Sequence, residues 1–454
     1  MLSEIFHRFI EKSPVTVMTR GLLERLLNPG RLDAWFERAA EKQYTRELLF
    51  SMVVDLLMPV VCGVRKSVHV AYPAADPGIG VSVQSVYNKL NGLEPAISAG
   101  LVRYAAEEAS GLIQELGAER AGLLPGYRVK ILDGNCLEAS EHRLKELRAL
   151  SAGPLPGQSL VVYDAALDLA VDVFPCEDGH AQERSLLSAV LQRVIAGEAW
   201  VADRNFCVRW FLLGIEARGA FFVVREHQQL PWKPLGAMRE IGQIETGRVA
   251  EQAIEVIDDD GQAHTWRRIR VQLSQPTRDG EYTIYILTNL PATVEAGTIA
   301  RLYRRRWTIE TAFQELEKNF ESEINTLGYP RAALFGFCLA LVAYNTLAVI
   351  EAALRHVHGQ EKVDQEVSSY YLAEELGATY RGMMIAIPPP EWRLFQELSR
   401  PQLAEVLVEL AQKIRLQAVR KHRRGPKKPR SKRKYDPKHP HVSTAKLIAA
   451  RRSP

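Results

Sequence analysis

Apolar positions recur at helical spacing through residues 1–120. TRELLFSMVVDLLMPVV (45–61) predicts a helix behind a Thr45 N-cap, disturbed at Pro59, where the ring removes a donor. A loop with Pro73, Pro77, Gly78 and Gly80 follows. VSVQSVYNKLN (81–91) then predicts a helix capped by Ser82, with Val83, Val86, Tyr87 and Leu90 on one stripe. Ser85, Asn88 and Lys89 lie off that stripe, as on the recognition helix of a helix-turn-helix. A surface helix of a bundle has the same pattern, and both readings stand. From residue 127 the texture shortens to β-type runs: YRVKILDGN (127–135), SLVVYDAALDLAVDVFP (159–175) and AWVADRNF (199–206). HAQERSLLSAVLQRVIAG (180–197) between the last two is helical and ends in a Gly stop. The alternation predicts an α/β layer architecture. Residues 219–282 alternate apolar and polar, with Asp260-Gly261 and Asp279-Gly280 as hairpin turns, and predict an antiparallel β insertion. TIYILTNL (283–290) predicts a further strand, Ala296–Phe320 one long helix, and the chain beyond residue 355 helices again.

The nearly uncharged stretch Ala332–Leu354 is long enough to span a bilayer, which takes about 20 apolar residues. Tyr344, Asn345 and Thr346 at its middle, and the lack of a second such stretch, predict instead a buried core helix of a soluble protein. The first residues lack the unbroken apolar segment of a secretory signal. Five scattered cysteines with no CxxC pair argue against a disulfide framework or zinc site and fit a reducing cytoplasm.

Composition alone is ordinary: 46% hydrophobic and 25% charged residues exclude a wholly disordered or collagen-like chain. The net charge of +4 conceals a division. Residues 413–454 hold 16 Lys/Arg against one acid, Asp436, which leaves a body of charge −11. An acidic body with a basic tail predicts a polyanionic partner. The segment RKHRRGPKKPRSKRKYDPKHPH (420–441) is too polar to fold alone.

Three acids stand where chemistry is expected. Asp133 follows the apolar run Val129–Leu132, and Asp203 follows Trp200-Val201-Ala202, each where a buried strand leaves its sheet. Glu310 sits in YRRRWTIETAFQELEKNF, whose other face carries Leu302, Ile309, Phe313 and Leu316. On a helix, Tyr303, Arg306 and Glu310 share one face: an aromatic, a cation and a carboxylate, suited to a phosphate beside a metal. Three converging carboxylates suit two divalent cations, which activate an attacking oxygen and stabilise a leaving one. Each acid also has a structural role open to it: Asp133-Gly134 as a turn, Asp203 as an N-cap, Glu310 paired with Arg306 at i,i+4. Arg204 and Arg225 lie near the same edge, where phosphate contact and surface salt bridging are both open. Trp232 and Trp266 are aromatics that either stack on an extruded base or pack structurally, the second being favoured for both.

ILDGN around Asp133, ADRNF around Asp203, and LTNL (287–290) preceding YRRRWTIE resemble, in order and spacing over about residues 40–355, bacterial DDE transposases of the insertion-sequence-four type. These carry a Tyr-x2-Arg-x3-Glu-x6-Lys signature. The resemblance implies an RNase H-like catalytic core interrupted by a β insertion between the second Asp and the Glu, here 107 residues apart. It implies Asp133, Asp203 and Glu310 as the catalytic, metal-binding triad for two Mg2+ ions, with Mn2+ as a substitute. Tyr303 and Arg306 would grip the transposon end, and Trp307 would stand beside a flipped base or pack as a core aromatic. The signature Lys departs: position 317 is Glu317, and Lys318 follows it, turned about 100° away. The long stem of Lys318 reaches around part of that arc, which keeps it as a DNA-binding candidate. The implied activity is cut-and-paste transposition by phosphoryl transfer on double-stranded DNA, at inverted-repeat ends and a target. The implied form is a homodimer on two ends, cytoplasmic and nucleoid-associated, away from any membrane. The amphipathic stretch 403–416 suits docking or subunit pairing. The expected organisation is a helical DNA-binding domain (1–120), the core in two parts (121–218 and 283–355), the β insertion (219–282), a helical C-terminal region (356–419) and a disordered basic tail (420–454). An RNase H-fold nuclease that cleaves without joining, and a noncatalytic DNA-binding descendant of a transposase, are the alternatives.

Overall fold

A strand whose odd and even residues are both apolar needs cover on both faces, and the central strands here have it. The computed structural model describes the chain except residues 1, 3, 44–46, 76–78, 138–153, 278–279, 384–385, 423–441 and 453–454. The strands are β1 (Arg128–Leu137), β2 (Pro154–Leu155), β3 (Gly157–Asp164), β4 (Leu169–Cys176), β5 (Glu198–Ala202), β6 (Phe221–Arg225), β7 (Lys233–Pro234), β8 (Arg239–Ile244), β9 (Gly247–Ile257), β10 (Ala263–Leu273), β11 (Thr283–Thr288) and β12 (Val442–Ser443). Ten of them form one mixed sheet in the order β4-β3-β1-β5-β6-β11-β10-β9-β7, with β8 also on β9. β3 lies between β1 and β4 and is antiparallel to both, whereas β5 runs parallel to β1 and β6 parallel to β5. A mixed sheet of this order is consistent with an RNase H-like transposase domain.

Ile131, Val161, Val201, Val223 and Ile286 face one apolar layer. Leu132, Val162, Trp200, Phe222 and Leu287 face the other. The second layer is closed by the short helices Leu187–Leu191 and Arg209–Ala217. The first is closed by helices from both ends of the chain. At its centre lies Pro330–His358, 29 residues long and apolar enough to cross a membrane, yet enclosed by protein throughout its most apolar stretch. That is the placement of a core helix. Helices Pro95–Glu115 and Arg400–Lys413 pack against it, and Pro14–Leu26 packs against Pro389–Glu397. The N-terminal and C-terminal helices thus share one core.

Several sequence expectations meet a different arrangement. Residues 219–282 do not stand apart from the sheet: β6 lies within it beside β5, and β9 and β10 extend it through β11. Ala296–Phe320 is two helices, Ala296–Arg304 and Trp307–Asn319. Residues 180–197 form a 3-10 turn at Glu183–Leu186 followed by one short helix. The apolar side of 403–416 (Leu403, Val406, Leu407, Leu410) is buried within the chain itself, so that face is not free for a second subunit. The tail is not disordered throughout. β12 pairs in parallel with β2, a helix spans Thr444–Arg452, and Lys446 pairs with Asp178. The rest of the basic segment, from 423 to 441, lies outside the described residues, as do Thr45 and Asp279. Pro59 is accommodated inside the helix Phe50–Val61, within its last turn. The helix Val83–Gly92 is capped by Ser82 as expected, with Val86 and Leu90 buried and Gln84 and Asn88 exposed.

Candidate functional site

Strand register brings the two aspartates together. β1 and β5 pair in parallel from Arg128↔Glu198 to Leu132↔Ala202, and there the pairing stops. The next residues are Asp133 and Asp203. β1 continues against β3, with Asp133 opposite Val161, so Asp133 lies within a strand and not in a hairpin turn. By the period of two it shares the face of Val129 and Ile131, on which the Glu310 helix packs. Asp203 instead leaves the sheet. Its Oδ1 accepts the Asn205 backbone N–H at 2.7 Å and caps the 3-10 turn Arg204–Phe206.

Glu310 opens the helix Trp307–Asn319, held down by Ile309, Ala312 and Leu316. At the break before it, the N–H groups of Arg305, Arg306, Thr308 and Ile309 bond three residues back instead of four. Tyr303, Arg306 and Glu310 still line one cleft, although no single helix carries them. Arg306 is the link. Its Nη1 donates to Asp133 Oδ2 at 2.8 Å and its Nη2 to Glu310 Oε1 at 2.7 Å. The i,i+4 pairing with Glu310 is therefore present, and the same guanidinium reaches across to β1.

Burial pushes the Asp133 carboxyl up to about 7; Arg306 opposes this, while the charges of Asp203 and Glu310 add to it. The three carboxylates are thus electrostatic neighbours, and two of them, Asp133 and Glu310, share one cation. Burial likewise pushes the Tyr303 hydroxyl up to about 12. By donor type, three carboxylates fit a hard divalent cation. As the side chains stand, no group of three His, Cys, Asp or Glu among the described residues is gathered closely enough to enclose an ion. Arg306 supplies positive charge between two of them.

The cleft measures about 670 Å3. Its lining includes Asp203, Arg204, Arg225, Tyr303, Arg306, Trp307 and Glu310, together with Glu245 and Thr246 between β8 and β9 and Leu273–Thr277 at the end of β10. Trp307 is half exposed at its wall, with the Arg306 guanidinium 5.7 Å from its ring centre. Lys318 is not brought in: it and Glu317 are both exposed in the last turns of their helix, away from the cleft lining. Nor are the insertion tryptophans. Trp266 is fully buried, edge-on to Phe222, with its indole N–H on Glu216. Trp232 donates to Glu226 and stacks under Arg268. Both are structural.

Two carboxylates at the site escaped the sequence reading. Glu183 accepts from Asn205 Nδ2 at 3.3 Å, while the neighbouring Arg184 Nε donates to Asn205 O at 2.8 Å, so this pair holds the turn that Asp203 caps. The other Glu183 oxygen lies over bare Gly134, where an added Cβ would meet it at 1.8 Å. Glu281, near the end of the β10–β11 connection, accepts from both Arg204 and Arg225. A Glu opening a predicted helix between two strands was a usable signal for Glu183; nothing local marks Glu281.

Residues 159–346 match the family described as transposase DDE domain. This match supports a DDE transposase, an enzyme family that acts on DNA and generally uses divalent metals. It contains Asp203 and Glu310, while Asp133 precedes its start. No curated protein matches the chain.

Proposed function

We propose that this protein is a cut-and-paste DNA transposase of the insertion-sequence-four type, with Asp133, Asp203 and Glu310 as its catalytic triad. The observation that carries this reading is the meeting of Asp133, at the point where β1 and β5 part, with Glu310 through one bridging arginine. The carboxylates would hold two Mg2+ ions, or Mn2+ in their place, which when bound activate the attacking oxygen and neutralise the leaving one. Arg306, already hydrogen-bonded to two of the three acids, orients them. Tyr303 and Arg306 grip the phosphate backbone of the transposon end from the cleft wall, and Arg204 and Arg225 contact neighbouring phosphates. Half-exposed Trp307 offers a stacking face to a displaced base. Hydrolysis at the 3′ end of the element frees a hydroxyl, and that hydroxyl attacks either the opposite strand, closing a hairpin that releases the element, or the target duplex, each time exchanging one phosphodiester for another. The basic segment adds backbone affinity without sequence information. A homodimer would bring two inverted-repeat ends together in the cytoplasm, at the nucleoid.

The test incubates the full chain with Mg2+ and a duplex ending in the inverted repeat that flanks its coding region. Cleavage at the 3′ end followed by joining to a second duplex is expected, and Asp133→Asn, Asp203→Asn and Glu310→Gln each should abolish both. Cleavage without joining would make the protein a nuclease. Wild-type activity in all three variants would remove the triad.

A further inference from the structure

Two arginines that leave adjacent parallel strands converge on one carboxylate from a distant connection. Arg204 follows Asp203 at the end of β5, and Arg225 ends β6. Both line the cleft beside Tyr303 and Glu310. Glu281 comes from the connection between β10 and β11, which folds back through Thr277 N–H to Glu281 O at 2.8 Å and Glu281 N–H to Thr277 Oγ1 at 3.1 Å. One Glu281 oxygen accepts from Arg204 Nη1 at 3.3 Å and the other from Arg225 Nη2. The Arg225 side chain is only 18% exposed, so its charge needs an anion nearby, whereas Glu281 is 36% exposed and can leave for solvent.

We infer that Arg204 and Arg225 form a binding site for a DNA backbone phosphate next to the triad, and that the Glu281 carboxylate fills this site until DNA displaces it. Two guanidiniums each holding one oxygen of a carboxylate present the donor pattern that a phosphodiester takes. The site opens into a cleft wide enough for a nucleotide, and the displaced carboxylate has water to move into. This inference rests on the DNA-processing reading above and adds a built-in competitor to it. The alternative, that Glu281 merely orients the arginines for DNA, predicts the opposite sign when it is removed.

The test measures binding of a short blunt-ended duplex to the full chain by fluorescence anisotropy at fixed salt. Glu281→Gln should tighten binding about threefold to tenfold, the worth of one or two partly exposed ion pairs. Glu281→Ala should act in the same direction, and unfolding midpoints near wild type establish that both variants fold. In an Arg204→Ala/Arg225→Ala background, Glu281→Gln should have no effect. Glu245→Gln removes an equal charge from the same cleft without touching either arginine, and should tighten binding less. Equal gains with Glu245→Gln, an undiminished gain in the arginine-free background, or weaker binding by the Glu281 variants would each overturn the exchange. A wild-type chain that binds no duplex overturns the DNA reading and this site with it; a wild type that binds without the coupling overturns the site alone.

Discussion

Burial outweighs Arg306 in setting how Asp133 behaves. Burial raises the Asp133 carboxyl to about 7 although a guanidinium is 2.8 Å away, so desolvation wins over the ion pair. The sign for stability follows. The unfolded carboxyl titrates near the ordinary 3.8 and the folded one near 7, so the fold loses stability as pH rises between those values and keeps that loss above them. Asp133→Asn cannot ionise. It should leave the unfolding midpoint nearly unchanged at about pH 4, stabilise the protein at about pH 8 by on the order of 1–3 kcal/mol, and abolish strand cleavage. Equal midpoints at both pH values would show that burial does not raise this group. Gly134 makes a second, purely steric case. A Cβ there must displace the far end of Glu183, a flexible side chain. Gly134→Ala should therefore cost little stability, below about 1 kcal/mol, yet release Asn205 from Glu183 and slow cleavage markedly. Wild-type rates in that variant would show that Glu183 does not hold the Asp203 turn.

The elements divide by how far local pattern specifies them. β3 and β5 were legible because burial on both faces demands unbroken apolar runs, and Asp133 and Asp203 were legible as the first acids after apolar runs. The place of β6 in the main sheet was not, because it was read as part of the alternating segment 219–282. Their side-by-side placement depends on the parallel register of β1 and β5, which no local pattern encodes. The break at Arg305–Arg306 was invisible for a different reason: Ile299, Leu302, Ile309, Phe313 and Leu316 keep helical phase straight through it. The break coincides with the ion pair that Arg306 makes across the fold to Asp133, which no local pattern encodes. The central helix hides a further such feature. Its Glu351 faces Asp168, Glu315, Arg120 and Arg355, and burial followed by the Asp168 and Glu315 charges raises its carboxyl to about 8. Raised above its unfolded value of 4.5, this group costs the fold stability as pH climbs from there through about 8. Glu351→Gln should stabilise the protein at about pH 9, by on the order of a few kcal/mol, with little change at about pH 4.5. A destabilised variant at the higher pH would mean that the charge is needed by Arg120 or Arg355.

At the scale of the whole molecule, the charge division becomes a matter of placement. The basic segment is attached at both sides of its undescribed part. Lys421 bonds to the carbonyls of Asp364 and Glu366, and Val442–Ser443 pairs with Pro154–Leu155. Deleting 420–454 would therefore remove strand and helix packing along with the charge, and weaker DNA binding would have two causes. Substitution separates them. Replacing Lys427, Lys428, Arg430, Lys432, Arg433 and Lys434 by Gln removes six positive charges and leaves both attachments in place. If these side chains neutralise DNA phosphates, each phosphate left without its cation lowers the slope of log affinity against log salt by about 0.9. The six-fold variant should then bind duplex more weakly at low salt, with a slope shallower by up to about 5, and converge on wild type at high salt. Its unfolding midpoint should not move, because none of the six replaced residues belongs to the two attachments. Affinity measured by anisotropy across a salt series reads slope and intercept together. An unchanged slope would leave DNA binding to the cleft arginines and to the acidic body's remaining basic residues.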